Sequence, residues 1–194
     1  MSKLDTLNPN GTSLAGNLLI ATSAVQGSCF DRSVVYLCAH NAEGGMGVII
    51  NYPVSSVHLK EVFRQLHIEF KPSVADLPIY FGGPVEANRG FVVHGAEYES
   101  DESLISKNGI AVTSSLSILQ SLAEGKGPEQ AMFVLGYAGW SPGQLEAEIE
   151  AGSWIVVPAS KELVLEAHNE AKWNMALSTL GIDMGHFSTV VGHA

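Results

Sequence analysis

Residues 139–143 read Gly-Trp-Ser-Pro-Gly, the G-x-S-x-G spacing of a serine hydrolase nucleophile elbow. In such an elbow a sharp strand-to-helix turn lifts the serine oxygen clear of the backbone so that it can attack an acyl carbon. The context fits, because an apolar run over 132–137 precedes the motif and a helix-favouring run follows it. The next residue does not fit. The oxyanion hole uses the backbone N–H of the residue after the nucleophile, and that residue is Pro142, which has none. Stabilising the oxyanion is usually the largest single contribution to catalysis of this kind. Every residue also has a structural role available: Ser141 as N-cap, Pro142 at N1 and Gln144 at N3 form a capping box, with Trp140 stapled onto Leu145. The sequence therefore predicts Ser141 as a helix cap worth about 1 kcal/mol, and no catalytic residue is assigned.

A second pattern points to anion binding. Two apolar stretches begin with Arg and end with His: Arg32 to His40, and Arg89 to His94. Each lies beside glycines, Gly44 and Gly45 in one case and Gly82, Gly83 and Pro84 in the other. Guanidinium groups bind carboxylates and phosphates through paired donors, and glycine lets a ligand approach the backbone. Arg32, His40, Asn51, Gly82, Gly83, Arg89, His94, Trp140 and Gln144 are the candidate ligand contacts. The competing expectation is structural: Arg32 pairs with Asp31 or another acid, and Arg89 with Glu86.

Other constellations carry less. Gly44, Gly45 and Gly47 precede a strand rather than a helix, so no helix N-terminus is available for a phosphate. Residues 125–128, Gly-Lys-Gly-Pro, lack the rest of a Walker motif. No His pair has helical metal spacing, no C-x-x-C occurs, and His186 and His193 have no cysteine nearby, so neither a metal nor a cofactor is expected. Cys29 has Arg32 three residues on but no base to activate it, while Cys38 reads as core.

The elements that position these residues follow from apolar periodicity. Strands are predicted over 17–21, 33–40, 46–51, 79–81, 90–94, 110–113, 132–137 and 154–158. Helices are predicted over 57–67, 115–124, 142–150 and, with a break, 161–180. The last places Trp173, Ala176, Leu177 and Leu180 on one face and stops at Gly181. The short linker 41–45 suits an antiparallel hairpin, and the later strand–helix–strand stretch allows a parallel crossover, so a mixed sheet in an α/β (α+β) chain is expected.

With 194 residues, one domain is the default, and 46% apolar content suits a packed core. No apolar run reaches a membrane span, and polar residues such as Asp5 and Asn8 interrupt the N-terminal stretch where a signal peptide needs an apolar block, so a cytoplasmic protein is expected. The net charge is −10, and the ten cations are scattered. Nucleic-acid affinity scales with the number of phosphates neutralised by clustered cations, so direct nucleic-acid binding is not expected.

The stretch LGYAGWSPGQLEAEI (135–149) resembles the signature of the AlgH/YqgE-like family of uncharacterised bacterial proteins. So do GNLLIAT (16–22), CFDRSVVYLCAHN (29–41), GVIIN (47–51), YFGGPVEANRGFVVHG (80–95), LGID (180–183) and GHA (192–194). The resemblance implies a single α/β domain over 1–194, with a mixed sheet curled into a partial barrel and flanked by helices. It carries a name linked to transcriptional regulation of alginate production, but no biochemical mechanism. The family usually has Gly where Ser141 stands, so a serine nucleophile there is not the chemistry the resemblance implies. Three function classes follow: a binding or regulatory module for a small anionic ligand or a protein partner, a serine hydrolase using Ser141, and a DNA-binding regulator. The absence of a catalytic set favours the first.

Overall fold

Short β-branched and aliphatic runs bounded by glycine, proline and polar turns give ten strands in the computed structural model, which describes residues 13–98 and 102–181. They are β1 (Asn17–Ala21), β2 (Val34–Asn41), β3 (Gly44–Ile49), β4 (Pro53–His58), β5 (Pro78–Phe81), β6 (Val85–Gly95), β7 (Ser103–Ile105), β8 (Ile110–Thr113), β9 (Ala131–Trp140) and β10 (Trp154–Pro158). The helices are α1 (Leu59–Gln65), α2 (Leu116–Ala123), α3 (Gln144–Glu150) and α4 (Asn169–Ser178), with a π-turn over Glu162–Glu166 before the last. The strands form one mixed sheet in the order β10-β1-β2-β3-β9-β6-β8-β7, with β5 parallel to β9 and β4 antiparallel to β5. The sheet curls into a half-barrel with the helices on its flanks.

Side chains alternate along each strand, so the two faces carry different cores. Leu18, Ile20, Val34, Tyr36, Phe91, Val93 and Val134 point to one face and meet Ala176 and Leu177 of α4. On the opposite face Leu19, Val35, Leu37 and Trp154 meet Leu145 of α3, while Val92 and Phe133 meet α1 and α2 through Phe63 and Ile118. Apolar residues on both faces explain why β1 and β2 read as continuous apolar runs rather than as alternating ones.

The connection from β5 to β6 explains three glycines. β5 runs beside β9, then Gly82 and Gly83 carry the chain across β9, and Val85 pairs with Tyr137 on its other side. Gly82 N–H donates to the Leu135 carbonyl at 2.8 Å, and its own carbonyl accepts from Ile49 N–H at 2.9 Å. A Cβ on Gly82 would lie 2.3 Å from the Gly136 carbonyl oxygen, and one on Gly83 2.3 Å from the Tyr137 carbonyl carbon. The crossing strand must therefore be bare there. Gly136 itself sits at φ 74°, a left-handed conformation that glycine adopts without steric cost.

The mixed sheet and flanking helices are as the sequence predicts, with specific differences. β4 and β7 were not expected; β4 has no fully buried residue, and β7 has only three residues. The helix predicted from 57 begins at Leu59, because Val57 and His58 belong to β4. The helix predicted over 161–180 breaks at Ala167, which is extended at ψ 144°. Lys172, not Leu180, joins Ala176 and Leu177 in the buried set of α4. The hairpin between β2 and β3 is present, and β8-α2-β9 is a crossover whose two parallel strands flank β6. His186, His193 and 192–194 lie outside the described residues.

Candidate functional site

The GWSPG stretch builds a turn. Gln144 N–H donates to the Ser141 carbonyl at 3.0 Å, and Gly143 at φ 74°, ψ −7° takes the third position of a type II turn with Pro142 in the second. Helix α3 therefore starts after Gly143, not at Pro142, and Gly143 is its N-cap. This corrects the predicted capping box: proline followed by glycine closes a tight turn before the helix can start. Half of the box survives, because Gln144 Oε1 accepts from Ser141 N–H at 3.0 Å. Ser141 is exposed, and among the described residues its hydroxyl has no hydrogen-bond partner.

Behind this turn lies an aromatic and acidic cluster that the sequence reading did not assemble. Trp140 Nε1 and Trp154 Nε1 both donate to Glu148 Oε2, at 2.8 and 2.7 Å, and Gln144 Nε2 donates to Glu148 Oε1 at 2.8 Å. The two indoles stand edge to face with centroids 5.9 Å apart, and Phe30 caps Trp154 at 5.5 Å. One carboxylate thus fastens α3 to β9 and β10 through neutral donors. Trp140 and Leu145 share this core, but with Gly143 as N-cap they are not the N′–N4 pair of the predicted staple.

His40 joins the cluster because β2 is bulged. Val35 and Leu37 face α3, and plain alternation would bring Ala39 there next. A register shift between Leu37 and Ala39 turns His40 to that face instead, opposite Gly45 and in the same row as Trp140. His40 is buried, and its Nδ1 accepts from Leu14 N–H at 3.3 Å, which places the ring proton on Nε2. Nε2 lies 3.0 Å from Glu146 Oε1 but outside hydrogen-bond geometry.

Arg32 and Asn51 meet at a second corner. Arg32 is left-handed at φ 54°, and Asn51 holds it there: Nδ2 donates to the Arg32 carbonyl at 3.0 Å, and Oδ1 accepts from Val34 N–H at 2.8 Å. The Arg32 guanidinium lies over the Trp173 ring, 4.9 Å from its centre. It is exposed, and among the described residues it makes no ion pair with any carboxylate, Asp31 included. Trp173 is fixed in turn, its Nε1 donating to the Ala21 carbonyl at 3.0 Å. The preceding residue, Lys172, is buried, its ammonium donating to the Ile50 carbonyl at 2.8 Å and lying 5.8 Å from the Tyr80 ring centre. Burial pulls the Lys172 pKa down to about 8. Nothing in the helical pattern distinguishes Lys172 from a solvated lysine, so the sequence reading missed it.

The remaining candidates lie elsewhere. Arg89 pairs with Glu86 at 3.0 Å and lies over Phe91. The close approach that Gly82 and Gly83 permit is to β9. His94 is buried near the start of β9, opposite Ala131, whereas His40 shares a row with Trp140 at the far end of that strand. Cys29 is exposed and Cys38 half-buried, and neither forms a disulfide. Burial raises the Cys38 thiol to about 12, which suits a packing role. No helix among the described residues is long and apolar enough to cross a membrane.

Comparison with known proteins matches this architecture. The AlgH-like family model covers residues 18–185. A UPF0301 protein of Afipia carboxidovorans is 44% identical, over 94% of this chain and 91% of its own. A UPF0301 protein of Methylobacterium sp. is 41% identical, over 98% and 96%. The solution structure of the AlgH protein from Pseudomonas aeruginosa superposes with a TM-score of 0.76 at 34% identity, covering both chains completely. A crystal structure of a Corynebacterium diphtheriae protein shares the fold at TM-score 0.68 and 23% identity, over 89% of this chain and 90% of its own. The chain belongs to the AlgH-like family.

Proposed function

We propose that the protein works by binding, and that the exposed Arg32 guanidinium receives the carboxylate or phosphate of a small anionic ligand or of an acidic protein segment. The observation that carries this reading is the clamp of Asn51 on Arg32. A left-handed non-glycine residue costs about 1–3 kcal/mol, so its presence asks for a compensating role. Here the strain directs a guanidinium onto an aromatic platform, with no acidic partner among the described residues. In a chain of net charge −10, an available cation is a specific feature. The Ser141 turn supports binding over turnover, because Pro142 has no N–H to give an oxyanion. The scattered cations argue against duplex DNA as the partner.

A thermal-shift series with phosphate and citrate tests the reading. Ligand that binds the folded state stabilises it by RT ln(1 + [L]/Kd). The wild type is expected to gain stability with anion concentration, and Arg32→Gln to lose that gain. Equal shifts in both proteins would refute Arg32 as the contact.

A further inference from the structure

We propose that Ser103 is the reactive hydroxyl of a Ser103–Thr113–His94 proton relay, a covalent modification site that accepts an acyl group from an activated acyl donor. The site is separate from the Arg32 corner and independent of the binding reading.

The relay follows from sheet register. Ser103 on β7 pairs directly with Thr113 on β8, and Thr113 pairs with Val92 on β6, two residues before His94. The alternation of strand side chains puts Ser103, Thr113 and His94 on one face. Ser103 Oγ lies 2.5 Å from Thr113 Oγ1, which lies 2.8 Å from His94 Nε2. The proton direction is fixed at the far end. His94 Nδ1 is 2.9 Å from the Gly95 carbonyl, which can only accept, so Nδ1 carries the ring proton. In the neutral ring Nε2 is then an acceptor, Thr113 donates to it, and Thr113 Oγ1 accepts the Ser103 proton. Every O–H in the chain points towards His94, which leaves the lone pairs of Ser103, a half-buried residue, unused by the relay.

His94 is suited to act as the terminal base. It is fully buried, and burial holds its pKa below the ordinary histidine value, against the opposite pulls of the Gly95 carbonyl and Glu97. The ring is therefore neutral at pH 7. Glu97 is paired with Lys161 at 3.1 Å, and the Tyr98 ring stands edge-on to His94 at 5.7 Å.

In the acylation step Ser103 Oγ attacks the carbonyl carbon of the donor. Its proton moves to Thr113 Oγ1 as the Thr113 proton moves to His94 Nε2. The tetrahedral adduct collapses, the bond to the leaving group breaks with its electron pair, and the imidazolium returns its proton to Thr113 Oγ1 as the Thr113 proton passes to the leaving group or to water. The product is an O-acyl serine.

Acetylation by p-nitrophenyl acetate, followed by peptide mass spectrometry, tests this. The wild type is expected to carry an acetyl group on Ser103, and Ser103→Ala to lose it. Thr113→Val is nearly isosteric and interrupts the relay without touching Ser103 or His94. General-base assistance is typically worth 10²–10⁴-fold, so this variant is expected to react at least about 100-fold more slowly. The wild-type rate should rise with His94 deprotonation below pH 6.5 and stay level above neutrality. An unassisted serine would instead keep accelerating with hydroxide. Absence of Ser103 acetylation, an unchanged rate in folded Thr113→Val, or a rate that climbs steadily above pH 7 would each overturn the proposal.

Discussion

Asn51 and Arg32 are joined by a side-chain clamp: the Asn51 amide donates to the Arg32 carbonyl at 3.0 Å and accepts from the Val34 N–H at 2.8 Å. It replaces strand hydrogen bonds where β2 starts and fixes a left-handed residue. Net hydrogen-bond contributions run at about 1 kcal/mol each, with a further cost when a buried partner is orphaned. Asn51→Ala is therefore expected to lower unfolding stability by about 2–3 kcal/mol in a urea titration. Arg32→Gly should be neutral or stabilising by up to about 1 kcal/mol, because glycine adopts positive φ without strain.

The buried ammonium of Lys172 makes stability depend on pH. Its pKa is about 8 in the fold against 10.5 for an ordinary lysine. The unfolded chain therefore binds more protons between these values, and this group's contribution to stability rises with pH across that window and is lost as pH falls through about 8. At neutral pH the penalty is on the order of 3 kcal/mol, from 1.36 kcal/mol per unit of pKa. Cys38 acts the other way, since burial raises its thiol from 9.0 to about 12 and its contribution is lost as pH climbs. The difference between wild type and Lys172→Met isolates the lysine. The variant should be more stable at pH 7, with the gap closing towards pH 10.

Glu148 accepts two indole N–H groups and one amide. Removing it orphans part-buried donors at about 1–3 kcal/mol each. Glu148→Ala is expected to cost about 3 kcal/mol or more in chemical denaturation and to shift tryptophan emission as α3 loosens. An unchanged spectrum and stability would show that the carboxylate does not fasten the helix.

Ser141 is expected to be dispensable. Its hydroxyl is exposed and without a partner among the described residues, so Ser141→Ala should change stability by less than about 0.5 kcal/mol. Gly143 at φ 74° is the constrained position, and Gly143→Ala should cost about 1 kcal/mol or more. Calorimetry of both variants gives the order; a larger loss for Ser141→Ala would restore the cap assignment.

Much of the sheet was legible because eight strands are apolar runs whose ends are marked by turn residues, as in β1 and β10. β4 escaped because Ser55 and Ser56 are exposed and break the apolar signal. The site was legible only in parts. Arg32 and Asn51 were both singled out, but nothing in sequence spacing says that an Asn side chain reaches a carbonyl 19 positions away. Glu148 carried no signal of its own, because its two indole donors come from β9 and β10. Ser103 and Thr113 carried no signal, since a relay across three strands exists only in the register.

The most direct measurement of the central claim is the side-chain Nε–Hε resonance of each arginine during titration with phosphate and with citrate. The Arg32 resonance is expected to move in a saturable way at millimolar anion, and the Glu86-paired Arg89 resonance to stay in place. Arg32→Gln should abolish the thermal stabilisation by the same anions. An Arg32 resonance that stays still while the protein is stabilised, or no stabilisation by either anion, would contradict anion binding at this corner.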